Sequence, residues 1–211
     1  MSRLRDAPAP CVDVDTAAAV LRAGGVIAMP TDTVYGLAAS LDFPQAVERI
    51  YAIKGRPPEK AMPILVSNPD ELQRLAVRVP RVALLLTERF WPGQLTVVVP
   101  AAPAVPEVVL RGGTTVGLRM PNDPVALALI AKSGGALAVT SANRSGEPEA
   151  RSATEVIATL GRDIDAVVDG GESPLGAPST VVDATVCPPV VLRAGSLDPA
   201  ELVAFLEQCG G

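Results

Sequence analysis

Four short segments carry most of the side chains here that could do chemistry. Lys54-Gly55-Arg56-Pro57, followed by Lys60, places three cations within seven residues. Arginine offers a planar fork to phosphate oxygens and lysine a mobile point charge. Gly55 lets a ligand approach the backbone, so the cluster fits a triphosphate clamp, and it fits a solvated loop equally well. Lys132 is the only other lysine, so the pairing of Lys54 with Lys60 is not a product of composition. The other three segments are Pro30-Thr31-Asp32-Thr33, Arg119-Met120-Pro121-Asn122 and Thr140-Ser141-Ala142-Asn143. Converging, their hydroxyl, amide and guanidinium groups would suit a polar, anionic ligand. Taken singly, each is ordinary turn chemistry.

Several chemistries are excluded. Histidine is absent, which removes Ser-His-Asp and Cys-His catalysis, histidine zinc sites and imidazole proton shuttling. Cys11, Cys187 and Cys209 are scattered, without metal-ligand spacing or a disulfide framework, and suit a reducing cytoplasm. No P-loop or dinucleotide fingerprint is present, and Gly170-Gly171-Glu172-Ser173-Pro174-Leu175-Gly176 matches neither. The net charge of −5 argues against a surface that grips nucleic acid everywhere. Residues 1–15 lack a sustained apolar core, and 17–29 is broken by Arg22 and two glycines, so neither a signal peptide nor a membrane span is expected.

Elements must position these groups, and apolar runs alternate with helical patterns as in an α/β domain. The pattern predicts a helix over 16–23, capped by Asp15 and stopped by Gly24-Gly25. Further helices are expected at 44–53, around 70–76, and at 80–90, 123–132 and 198–208. Strands are expected at 26–29, 62–66, 95–99, 115–118, 136–140, 166–168, 180–184 and 189–192, with a Pro-rich connection before residue 115. Ser152-Ala153-Thr154-Glu155 has the form of a capping box opening a helix to Leu160. No repeat or linker divides residues 1–211, so one domain is expected. Three strands run directly into the polar loops, and ligands of α/β sheets gather beyond strand ends.

Five segments in order resemble the YrdC family, the threonylcarbamoyl-adenylate synthases, over about 26–195. They are Pro30-Thr31-Asp32-Thr33-Val34-Tyr35-Gly36-Leu37; Lys54-Gly55-Arg56-Pro57 with Lys60; and Trp91-Pro92-Gly93 with Leu95-Thr96. The fourth is Thr140-Ser141-Ala142-Asn143-Arg144-Ser145-Gly146, and the fifth is Ser179-Thr180-Val181-Val182-Asp183 with Arg193-Ala194-Gly195. The resemblance implies a twisted mixed sheet flanked by helices around a concave basic cleft. It implies condensation of L-threonine, bicarbonate and ATP into threonylcarbamoyl-adenylate with release of pyrophosphate. A transferase complex would then carry the threonylcarbamoyl group to tRNA, with tRNA itself a further candidate partner.

Carried over by motif, Arg56, Lys60, Thr115, Asn143 and Arg193 match ATP-contacting positions. Lys54 joins Arg56 as a catalytic cation at the triphosphate. Thr33, Arg119 and Ser179 match threonine-holding positions, with Ser141 between the two ligands and Arg119 free to take the carboxylate bidentately. Mg²⁺ is expected on the phosphates rather than in a protein cage. Relatives often carry histidines where Ser67 and Asp123 stand here, so catalysis in this chain needs none. Longer relatives append a second domain; this chain resembles the single-domain type.

Other readings stand beside this one. An RNA-binding module could use the same cleft, although 3% aromatics leave few rings to stack bases. A carbamoyl-adenylate enzyme of hydrogenase maturation would bring Cys-x-x-Cys modules, which are absent. Tyr35 fits packing or substrate contact, and Asp32 fits a loop cap or a ligand contact. Trp91 reads as a structural anchor, Asp169 and Asp183 as turn residues, and Arg144 and Arg151 as surface charges.

Overall fold

The computed structural model describes residues 7–209. In chain order the elements are β1 (Cys11–Val12), α1 (Val14–Arg22), β2 (Ile27–Met29), β3 (Gly36–Ser40), α2 (Pro44–Lys54), β4 (Ile64–Val66), α3 (Glu71–Leu75), α4 (Arg81–Phe90) and β5 (Leu95–Pro100). There follow α5 (Glu107–Leu110), β6 (Thr115–Arg119), α6 (Pro124–Lys132), β7 (Ala136–Ser141), α7 (Ala153–Leu160), β8 (Ala166–Val168), β9 (Thr180–Asp183), β10 (Val190–Arg193) and α8 (Pro199–Cys209). The strands form one mixed sheet in the order β1-β8-β2-β3-β7-β4-β6-β5-β9-β10, the flanked mixed sheet that the family resemblance implies.

Most predicted elements lie within a residue or two of their expected bounds, and the differences have local causes. Asp13, not Asp15, caps α1: its carboxylate accepts the Thr16 N–H at 2.7 Å, so the helix starts earlier. Ser152 caps α7 as expected, accepting from the Glu155 N–H at 3.3 Å. The Glu155 carboxylate, however, reaches back to the Arg151 N–H, at 2.7 Å, one residue beyond the usual box. Three elements have no counterpart in the sequence reading: β1, β3 and α5. Gly36-Leu37-Ala38-Ala39-Ser40 lacks the β-branched and aromatic residues that favour strands. It is a strand because it is buried between β2 and β7, pairing Met29 with Gly36 and Gly36 with Ser141. The polar segment 30–37 therefore ends inside the sheet.

Sheet coverage positions the site. One face carries Leu37, Ala39, Ile64, Val66, Leu95, Val97, Val116, Leu118, Ala138 and Val182, and packs with residues of α2, α4, α5, α7 and α8 as the larger core. The opposite face carries Ile27, Met29, Ala38, Leu65, Leu137, Val139, Ala166 and Val168 and packs with α1 and α6. Those two helices cover β8, β2, β3 and β7, where burial is nearly continuous along each strand. Beyond them, β5, β6 and β9 alternate between buried and half-buried residues, the mark of a sheet covered on one side only. Among the described residues, no helix is long and apolar enough to cross a membrane.

Candidate active site

The uncovered part of that second face is the floor of a cleft of about 150 Å³. Register explains its lining. Gly36 is opposite Ser141 on β3 and β7, Leu65 is opposite Arg119 on β4 and β6, and alternation gives Thr96 the same face as Arg119. Gly36, Pro63, Leu65, Thr96, Arg119, Val139 and Ser141 all line the cavity. The site thus lies across the sheet face, with the polar loops as walls, instead of beyond the strand ends as the loop pattern suggested. Of the Arg119-Met120-Pro121-Asn122 segment only Arg119 reaches it.

Arg119 organises one end. Its Nε donates to the Gly93 carbonyl at 2.8 Å, Nη1 to Thr33 Oγ1 at 2.7 Å and Nη2 to Asp32 Oδ1 at 2.6 Å. Both ion-pair partners are at most 7% exposed. Burial lowers the Arg119 pKa, and Asp32 opposes that shift. Three of five guanidinium N–H groups are spent on protein, leaving one on each terminal nitrogen for a ligand. The free bidentate fork expected from sequence is therefore already half engaged. Asp32 neither caps its loop nor lines the cleft; it is the counter-ion of Arg119, and its Oδ2 is buried without a partner. Thr31 ties the same loop together, donating to the Val34 carbonyl at 2.6 Å and lying 3.0 Å from the Thr33 hydroxyl.

Two further arginines, Arg193 and Arg56, line the same cleft. Arg193 reaches back from β10 and donates from Nη2 to the Ser179 carbonyl at 2.7 Å and to the Ser179 hydroxyl at 3.2 Å. Ser179 Oγ also lies 2.8 Å from Thr96 Oγ1, which joins the ends of β9 and β5. Arg56 donates to the Ala61 carbonyl at 2.8 Å and more weakly to that of Lys60 at 3.3 Å. Among the described residues both arginines bond only neutral acceptors, so no direct pairing there compensates their charges.

Six of the ten residues selected from sequence line this cavity: Thr33, Arg56, Arg119, Ser141, Ser179 and Arg193. Four do not. Lys54 is 4% exposed and sits behind the wall, its ammonium donating to the Ser141 carbonyl, the Asn143 carbonyl and Asn143 Oδ1 at 2.5, 2.7 and 2.8 Å. Burial, then the neighbouring Arg56, lowers its pKa to about 8, with Glu149 pulling the other way. Asn143 is committed to the same brace: Oδ1 also accepts from Ser141 Oγ, and Nδ2 donates to the Glu147 carbonyl at 2.6 Å. Lys60 is exposed on the loop after α2. Thr115 stands four residues before Arg119 and on its face by strand alternation, so it extends the floor outward past Gly117.

The remaining sequence readings divide cleanly. Tyr35 packs at the cleft, fully buried, with its hydroxyl donating to the Gly171 carbonyl at 2.8 Å. Trp91 is an anchor whose ring N–H donates to the Leu95 carbonyl at 2.8 Å. Asp169 and Asp183 cap their own turns. Arg144 is more than a surface charge: it donates to the Ile53 carbonyl and pairs with Asp163 at 2.9 Å. Arg151 pairs with Glu172 at 2.9 Å. Cys11 and Cys187 are exposed free thiols, while the Cys209 side chain and residues 1–6 lie outside the described residues. Sequence reading missed Glu149 and Thr96 as lining groups. Thr96 was findable, since it interrupts the apolar run of β5 on the side facing Arg119; Glu149 belongs to no motif and gave no signal.

Among the described residues no group of three or more Cys, Asp or Glu side chains could hold a metal ion. Glu149 is the one carboxylate among the described residues on the cleft lining.

Known proteins share this architecture. The Sua5/YciO/YrdC family model, described as telomere recombination, matches residues 19–195. A threonylcarbamoyl-AMP synthase of Pyrococcus abyssi is 43% identical over 186 residues, 88% of this chain and 55% of that protein. One of Bacillus subtilis is 41% identical over 191 residues, 90% and 55% respectively. The structure of P. abyssi Sua5 complexed with L-threonine superimposes with a TM-score of 0.88 at 42% identity, covering 91% of this chain and 56% of that one. The chain spans about half the length of these relatives. It belongs to the Sua5/YciO/YrdC family.

Proposed function

We propose that this chain is an L-threonylcarbamoyladenylate synthase, a nucleotidyltransferase that condenses L-threonine, bicarbonate and ATP. The observation that carries the reading is one cleft lined by an arginine already paired with a buried aspartate, by hydroxyls of Thr33, Ser141 and Ser179, and by two further arginines that bond neutral acceptors. The paired arginine with the hydroxyls suits an amino acid, and the further arginines suit a polyphosphate. Arg119, held in place by Asp32 and Thr33, offers its two remaining N–H groups to the threonine carboxylate. Thr33 and Ser179 supply hydroxyls to the rest of that ligand, and Ser141 stands between threonine and ATP.

In the proposed reaction the threonine nitrogen bonds to the bicarbonate carbon with loss of water, giving a carbamate. A carbamate oxygen then attacks the α-phosphorus of ATP, and the bond to the β-phosphate oxygen breaks to release pyrophosphate. Arg56 and Arg193 stabilise the charge that moves onto the leaving group. Magnesium enters as part of the ATP substrate. Three substrates must meet in one geometry, so positioning supplies much of the rate. Lys54 serves as the brace behind the wall that fixes Ser141, and Lys60 and Thr115 meet the outer part of ATP. The product suits a cytoplasmic transferase complex that modifies tRNA.

Pyrophosphate release measured with each substrate omitted in turn tests the proposal. Strict dependence on threonine, bicarbonate and ATP is expected. Release that ignores threonine, with salt-sensitive tRNA binding in its place, would overturn it.

A further inference from the structure

One charged group on the cleft has no task in the reaction above. Glu149 lines the same cleft as Arg56, Arg193 and Ser141, and among the described residues it has no hydrogen-bond or ion-pair partner. Its backbone is held firmly. The next residue, Ala150, is buried, with its N–H donating to the Ala142 carbonyl at 3.4 Å and its carbonyl accepting the Tyr35 N–H at 2.9 Å. Glu149 is therefore carried on a pinned segment that runs beside the ends of β3 and β7. Its charge is felt by both Lys54 and Arg193, whose cationic forms it favours.

A carboxylate is out of place in a site built for anions. It repels a bare triphosphate, which carries about four negative charges near neutral pH, and weakens the attraction of the two arginines. Magnesium on the phosphates reverses the sign of that contact. It halves the ligand's charge and presents a hard cation that keeps several water ligands and prefers carboxylate oxygen. A single carboxylate is too little to hold the ion alone, in keeping with the missing cage of acidic groups among the described residues.

We propose that Glu149 is the group by which the cleft selects metal-bound over metal-free triphosphate, facing the magnesium ion directly or through one of its waters. The inference rests on the cleft being the ATP site. Binding affinity for ATP is measured by calorimetry in excess magnesium and in excess EDTA, for the wild type, Glu149→Gln and Glu149→Asp. The wild type is expected to prefer the magnesium form. Glu149→Gln shrinks that preference about tenfold, chiefly by binding metal-free ATP more tightly, and Glu149→Asp retains most of it. An unchanged ratio in Glu149→Gln, alongside a wild type that binds ATP, overturns this inference and leaves the synthase reading standing. Failure of the wild type to bind ATP in either form overturns both. Glu149 is half-exposed and has no partner among the described residues, so both variants should fold, and a matching thermal unfolding midpoint confirms it.

Discussion

Lys54 and Arg56 look alike in the sequence, two cations of one short motif, yet they stand on opposite sides of the cleft wall. Gly55 separates them in the left-handed conformation at φ 59°, ending α2 and turning the chain. That turn sends Arg56 into the cleft and leaves Lys54 in the protein. No spacing rule reveals this, because the hydrogen-bond acceptors of Lys54 come from residues 141 and 143. Lys54→Met keeps the apolar stem but strands three buried acceptors. Its expected cost is about 3 kcal/mol in urea unfolding; a loss under about 0.5 kcal/mol would place Lys54 outside the brace. The pH dependence has a definite sign. The folded pKa is about 8, below the value near 10.4 of an unfolded lysine. Between these values the unfolded chain holds a proton that the folded chain lacks. Wild-type stability should therefore rise with pH from about 8 to 10.4, by up to roughly 1 kcal/mol per unit relative to Lys54→Met. A flat difference between the two proteins refutes the shift. Asp32→Ala leaves the buried Arg119 without its counter-ion and should cost about 3–5 kcal/mol, whereas Thr33→Ala removes one neutral hydrogen bond and should cost about 1 kcal/mol. Equal costs would mean that the ion pair does not organise the loop.

At the scale of elements, the side of the sheet left open was written in β6. Thr115-Val116-Gly117-Leu118-Arg119 alternates polar and apolar residues, as a strand half exposed to a polar cavity must. The unbroken apolar run of β2, by contrast, announces coverage on both faces. β3 was illegible because alanine and glycine carry no strand signal of their own, and only its neighbours on both sides make it a strand. The other junction that matters is where β10 returns to β9. A Cβ on Gly195 would come within 2.3 Å of the Pro178 carbonyl oxygen and 2.4 Å of the Ser179 carbonyl carbon, which is backbone that cannot give way. Gly195→Ala should therefore push residues 193–195 away from 178–179 and break the Arg193–Ser179 contact. The expected loss is about 2–3 kcal/mol of stability, together with weaker ATP binding. Gly112→Ala is the control: a Cβ there meets nothing within 4 Å, but φ is 81°, so it should cost only about 1 kcal/mol and leave ATP binding unchanged. If Gly195→Ala unfolds at the wild-type midpoint, the close crossing is not structural.

At the scale of the whole molecule, a net charge of −5 surrounds a cleft in which Arg56 and Arg193 have no carboxylate bonded to them among the described residues. The long-range field repels polyanions, while attraction acts only within the cleft, over less than a Debye length of about 8 Å at physiological salt. Such a short-range site favours a compact triphosphate over a tRNA backbone, which needs many spaced phosphate contacts. The cleft also spans five adjacent strands, β3, β7, β4, β6 and β5, each of which contributes to the larger core as well, and the segment leading into β9. A ligand seated there touches strands that cannot separate without opening that core, so its binding free energy adds to global stability. At a concentration one hundred times its Kd, magnesium–ATP should contribute about 2.7 kcal/mol and raise Tm by about 5–10 °C for a chain of this size. Threonine should add a second increment of its own. Total tRNA at 0.15 M salt should leave Tm unmoved. A tRNA-induced rise that disappears at higher salt, without any response to ATP, would reverse the assignment, because it would mean that the charges in the cleft are read by a nucleic-acid backbone and not by a nucleotide.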